Sequence, residues 1–132
     1  MEWLPELHLG SLELLDEQLG LMYCANDEEI YSDTLKLFCE MQQENSRQIQ
    51  KLYAEGDWKN YCVKIHSLKS TSLTLGARAL SMLAKHLELA SRRKYEGEPM
   101  EEGDDLLVHG QDRLLSLYAE TAAEMRRYLE RQ

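Results

Sequence analysis

The side chains best suited to nucleophilic, proton-transfer or metal chemistry in this chain are four histidines and three cysteines. The cysteines, Cys24, Cys39 and Cys62, are odd in number, widely spaced and lack a CxxC pair. They read as reduced, mostly buried thiols of a cytoplasmic protein, not as a disulfide frame or a zinc site. A di-iron carboxylate bundle would carry Glu-x-x-His on facing helices. The residues three before the four histidines are Pro5, Val63, Leu83 and Leu106, so that motif is absent and no metal is expected. His8 lies in an irregular lead-in, His86 at the edge of an apolar stripe and His109 beside Gly110. Each of these three reads as structural or incidental.

His66 has different surroundings. Its segment carries an apolar stripe at helical spacing: Trp58, Tyr61, Ile65, Leu68, Ser72 and Leu75. At ~100° per residue, His66 points about 120° away from the centre of that stripe, toward solvent. Lys59, Cys62, Val63, Lys69, Ser70 and Leu73 fall within roughly 60° of it on the same face. Two amines, a hydroxyl and exposed apolar side chains around one nucleophilic ring are what a docking surface needs. Spacing alone is equally satisfied by an ordinary solvated face with a spare histidine.

The elements that must position His66 are helical throughout, with no strand pattern and no internal repeat. Residues 1–10 form the lead-in, and residues 11–132 a single domain. Ser11 is expected to cap a short helix with Leu12, Leu15, Leu19 and Met22. Asn26 and Glu29 resemble a capping box. They open a long helix with Ile30, Leu37, Phe38, Met41, Gln48, Ile49 and Leu52 inside, ending at Glu55-Gly56. Asp57 caps the His66 helix, and Gly76 breaks the chain after it. A further helix turns Leu80, Leu83, Leu87 and Ala90 inward and places Arg92, Arg93 and Lys94 at its C-terminal dipole. Tyr95 to Gly103 is expected to be a loop. Pro99 suits the first turn of the last helix, while Gly103 and Gly110 weaken its start. That helix turns Leu107, Leu114, Tyr118, Thr121, Met125 and Tyr128 inward. The simplest arrangement is an all-α, up-down four-helix bundle with an additional short N-terminal helix.

Composition narrows the function classes. The chain has 132 residues, 43% of them hydrophobic, which suits one domain with one core. No apolar run approaches the roughly 20 residues of a membrane helix, and the N-terminus lacks the basic region of a secretory signal. The net charge of −9 argues against nucleic-acid binding. The charge is unevenly placed. Between Trp58 and Lys94 lie Lys59, Lys64, Lys69, Arg78, Lys85, Arg92, Arg93 and Lys94, with Glu88 as the single acid. A basic central segment on an acidic protein suits either an acidic partner or neutralisation by neighbouring helices.

The string His66-Ser67-Leu68-Lys69-Ser70-Thr71-Ser72-Leu73-Thr74-Leu75-Gly76-Ala77, followed by Leu80, Leu83, Ala84, Leu87 and Glu88, resembles the histidine phosphotransfer (HPt) domain of bacterial two-component phosphorelays. The family form is H-x-L-K-(G/S)-x-S-x-x-(apolar)-G-A-x-x-L-x-x-L-A-x-x-L-E. The Glu55-Gly56-Asp57-Trp58 turn and the Asp27 to Phe38 segment are similar to the family's turn and first long helix. The resemblance covers about Leu15 to Lys94. Ser70 departs from the commonest form, in which that position is glycine.

The resemblance implies that His66 reversibly accepts a phosphoryl group from an aspartyl phosphate on a receiver domain and passes it to another. It implies that Lys69, one turn along, stabilises the phosphoryl charge. Lys59, Cys62, Val63, Ser70 and Leu73 would form the docking face, with Ser70 leaving room for a partner backbone. Gly76-Ala77 would let the helix turn back on its neighbour. Partners would be response-regulator receiver domains or a hybrid sensor histidine kinase. No cofactor is expected, since the Mg²⁺ of such a transfer belongs to the receiver. The chain has no Gly-rich phosphate loop, so autonomous ATP-dependent kinase activity is not expected. The carrier would be a monomer. The rival readings are a helical adaptor that binds an acidic partner without phosphorylation, and an HPt-like module that only dimerises.

Overall fold

Local chain chemistry sets most of the helix boundaries. A computed structural model describes residues 12–97 and 101–132, and for residues 101–105 the backbone alone. The helices are α1 (Glu17–Tyr23), α2 (Glu28–Glu55), α3 (Trp58–Thr74), α4 (Arg78–Tyr95) and α5 (Glu101–Glu130). Among the described residues there is no strand, and no helix is long and apolar enough to cross a membrane. The lead-in, His8, Ser11 and Pro99 lie outside the described residues.

Two starts differ from the sequence expectation. The first helix begins five residues after Leu12, at Glu17, because Asp16 is extended and its carboxylate accepts the Leu19 N–H at 3.1 Å. The cap of α2 is Asp27, not Asn26. Its carboxylate accepts the N–H groups of Glu29 and Ile30 at 3.0 and 3.1 Å, while Ala25 and Asn26 make a left-handed turn before it. The α2 end is as expected, with Gly56 at φ 69° in the left-handed cap. Asp57 then caps α3 through the Asn60 N–H at 3.3 Å. The chain from Tyr95 into the last helix is shorter than expected, since α5 already runs through Gly103.

The inward stripe of α3 is as read: Tyr61, Ile65, Leu68, Ser72 and Leu75 are buried and Trp58 is half-buried. The same holds for Leu80, Leu83, Leu87 and Ala90 of α4, and for the six inward positions of α5. The long helix α2 is rotated from expectation. Ile30, Leu37 and Met41 are about half exposed, whereas Tyr31, Leu35, Phe38, Cys39, Gln42 and Ile49 are buried. Tyr31 explains the rotation. Its ring is fully buried against Tyr128, and its hydroxyl donates to the Leu75 carbonyl at 2.9 Å, which fixes the α2 face toward the α3–α4 turn.

Short connections make successive helices antiparallel. Gly56-Asp57 joins α2 to α3, and Leu75-Gly76-Ala77 joins α3 to α4. Gly76 has φ 88°, and a Cβ there would lie 2.0 Å from the Asp16 carbonyl oxygen, so only glycine fits. The Gly76 carbonyl accepts the Asp16 N–H at 2.8 Å, which ties the chain before α1 to this turn. Gly110 serves a second close approach, because a Cβ there would lie 2.8 Å from Leu87. The core runs through all four long helices; each fully buried leucine, such as Leu83, Leu87 and Leu114, contributes about 1.5–3 kcal/mol.

Candidate functional site

Two helices of unlike content meet at His66. It lies on the outer flank of α3 with its side chain 58% exposed. Opposite it, α4 buries one acid, Glu88, whose side chain is only 4% exposed. The hairpin turn fixes the register that brings them together. Ser81 of α4 also donates its hydroxyl to the Lys69 carbonyl at 2.9 Å, pinning the two helices beside the site.

Glu88 sits among three donors. His66 Nδ1 is 2.8 Å from Glu88 Oε2, Arg92 Nη2 is 2.9 Å from the same oxygen, and Lys69 Nζ is 2.7 Å from Oε1. An ionised carboxylate has no proton to give, so the close contact requires His66 to donate through Nδ1–H. The neutral ring then carries its lone pair on Nε2. Burial alone would raise the Glu88 carboxyl, but the hydrogen bonds from Lys69 and His66 and the positive charge of Lys69 hold it below its usual range. The carboxylate is thus kept ionised, and a buried ionised carboxylate needs all of its partners.

The two carboxylate oxygens are not equivalent. Oε2 has hydrogen-bond partners in His66 and Arg92. Oε1 has only Lys69, whose Nζ lies 2.7 Å away.

Lys59, Val63, Ser70 and Leu73 are exposed on the same side of α3 as His66, with Val63 63% and Leu73 42% exposed. Cys62 is a correction. It is 6% exposed, because α4 covers that flank of α3, and its thiol lies 3.6 Å from the Glu88 carbonyl. A helical wheel drawn for α3 alone cannot show how wide a strip its neighbour covers. Lys69 is half-buried and already engaged with Glu88. Gly76 and Ala77 are buried in the turn. Around His66, Lys59, Val63, Glu88, Arg92 and Tyr95 line a shallow hollow.

Glu88 and Arg92 were not singled out as site residues from sequence. Two signals were available: Glu88 is the single acid in a strongly basic stretch, and it is the glutamate that closes the family form. Glu88 lies 22 residues from His66, so its proximity depends on the hairpin and not on helical spacing. Among the described residues, no group of three or more His, Cys, Asp or Glu side chains could hold a metal ion.

Chemically, the arrangement is an exposed imidazole of fixed tautomer, a carboxylate that can balance positive charge on the ring, and two cations, Lys69 and Arg92, on that carboxylate. The family model of the Hpt domain matches residues 33–131. No curated protein matches the sequence. A solved structure of the HPT domain of a sensor hybrid histidine kinase from Shewanella is similar, with a TM-score of 0.75 and 21% identity. That match covers 96% of this chain and 97% of the other. At this identity, the structural likeness speaks for the fold.

Proposed function

The chain belongs to the Hpt domain family, and from that premise we propose that His66 is the residue that receives and returns the phosphoryl group. Hpt domains serve phosphorelays as phosphocarrier modules that work with receiver domains and histidine kinases. The observation that carries the assignment is the pairing of His66 Nδ1 with buried Glu88, which leaves Nε2 as the outward nucleophile.

In the transfer, the Nε2 lone pair attacks the phosphorus of an aspartyl phosphate on a receiver. The N–P bond forms as the acyl O–P bond breaks, and the aspartate leaves as a carboxylate with the bonding electrons. The ring becomes positively charged and keeps its Nδ1 proton. Glu88 compensates that charge from 2.8 Å away. Lys69 supplies positive charge to the phosphoryl oxygens. The reverse step hands the group to a second receiver. Little further chemistry is required of this chain, since phosphoryl transfer depends chiefly on positioning and charge neutralisation.

Lys59, Val63, Ser70 and Leu73 form the docking face in this reading. Every exposed Asp, Glu, Lys or Arg side chain on α3 and α4 is basic, which favours encounter with the acidic mouth of a receiver. Mg²⁺ is held by the receiver, and the carrier works as a cytoplasmic monomer. Incubation with a phosphorylated receiver domain tests the assignment. The expected result is an acid-labile phosphate on the wild type that is absent from His66→Gln; equal labelling of the two would overturn it.

A further inference from the structure

Glu88 divides its partners between its two oxygens, and that division bears on what happens once a phosphoryl group arrives. Oε2 holds the imidazole at 2.8 Å and the Arg92 guanidinium at 2.9 Å. Oε1 holds only Lys69, at 2.7 Å. Lys69 can therefore leave without disturbing the contact that fixes the ring. If Arg92 were absent, the same departure would strand a buried carboxylate with a single imidazole N–H, a costly state.

We propose that Arg92 is a positioning residue that retains Glu88 while Lys69 exchanges that carboxylate for the phosphoryl group on His66. The inference rests on the reading of His66 as the phosphoacceptor. The two cations suit these parts. Lys69 is a compact point charge on a flexible stem, one turn from His66 on the same helix. Arg92 is anchored on α4 one turn beyond Glu88 and meets Oε2 through the single nitrogen Nη2 at 2.9 Å. The charges also match. Lys69 and Arg92 against Glu88 leave the resting site one positive charge in excess, available to an incoming phosphoryl group.

The test uses phosphoramidate, so no receiver domain enters the comparison. His66 Nε2 attacks its phosphorus and ammonia leaves. In the wild type, NMR of the side chains should show the Lys69 Cε–Hε signals shifting on phosphorylation while the Arg92 Nε–Hε signal stays in place. An Arg92 signal that moves, or a Lys69 signal that does not, would overturn the proposal. Arg92→Gln should shorten the phosphohistidine half-life roughly fivefold, and Arg92→Lys should restore most of it. A half-life in Arg92→Gln equal to the wild type would also overturn it. If the wild type takes no phosphate on His66, both the phosphoacceptor assignment and this inference fall. That outcome is distinct from normal phosphorylation with an unmoved lysine.

Discussion

The α3–α4 hairpin carries eight basic side chains and a single, buried acid, whereas α2 and α5 together carry fourteen acids against six bases. The two halves also use charge differently. Along α2 and α5, Arg47 pairs with Glu44, Arg127 with Glu124 and Arg113 with Glu120, within one helix and in water. Such exposed pairs are worth little individually. On the hairpin, the one acid is turned inward to the candidate site, so no other acid on α3 or α4 themselves offsets their basic side chains. Packing follows the same division. The hairpin turns sharply through Gly76, with Ser72, Ala77, Ala79 and Ala84 allowing close approach. The α2–α5 contact is joined instead by larger groups, including Phe38 against Tyr118 at 5.2 Å and Asn45 donating to the Tyr118 hydroxyl. The half holding the candidate site thus has its geometry set by backbone and small residues.

The comparison can be broken most forcefully at the turn. Gly76→Ala forces a side chain into a left-handed backbone and against Asp16, and should cost roughly 2–4 kcal/mol in urea unfolding. A near-neutral result would mean that the hairpin is not held as tightly as its geometry requires.

A charge test comes next. Reversal of Arg78 and Lys85 to Glu should slow association with a receiver by about 10- to 100-fold at low salt and flatten its salt dependence. The opposite reversal of Glu40 and Glu120 to Lys, in the other half, should leave association within a fewfold. Equal effects from the two pairs would remove the distinction between the halves.

Glu88→Gln is expected to have a smaller effect on transfer, about tenfold slower, because an acceptor for Nδ1–H remains but its charge is gone. It also has a pH signature. The Glu88 carboxyl is depressed in the folded state, so its contribution to stability is present above the unfolded carboxyl range and is lost as pH falls through the folded value. The variant should show a flatter acid limb in a stability–pH profile. An unchanged limb would show that Glu88 is not a charged anchor.

The smallest effect is expected at Val63. Val63→Ser on the exposed flank should change stability by less than about 0.5 kcal/mol while weakening receiver binding, measured by titration calorimetry. A large loss of stability would place Val63 in the fold and not on a docking face.

The all-α fold was legible from sequence because the hydrophobic period of α3, α4 and α5 matches their buried faces, with Trp58 half-buried and Cys62 added to the face of α3. The period of α2 was legible but its phase was not. Ile30, Leu37 and Met41 satisfied an apolar stripe as well as Tyr31, Leu35 and Phe38 did, and the Tyr31 hydroxyl bond to Leu75 decided between them. Cap identity was similarly a local competition, between Asn26 and Asp27, that backbone conformation resolved.

At the candidate site, the sequence by itself determined an exposed histidine, a lysine one turn away and a Gly-Ala break, because all three follow from spacing along one helix and its end. The tertiary structure alone decided that Cys62 is covered, that Glu88 faces the imidazole and that Lys69 and Arg92 share the carboxylate. These contacts span as many as 26 residues and depend on how far α4 overlaps the flank of α3. Helical periodicity fixes direction within one helix. Which side chain of a neighbouring helix arrives there is set by the turn that joins them and by the small residues that let them close.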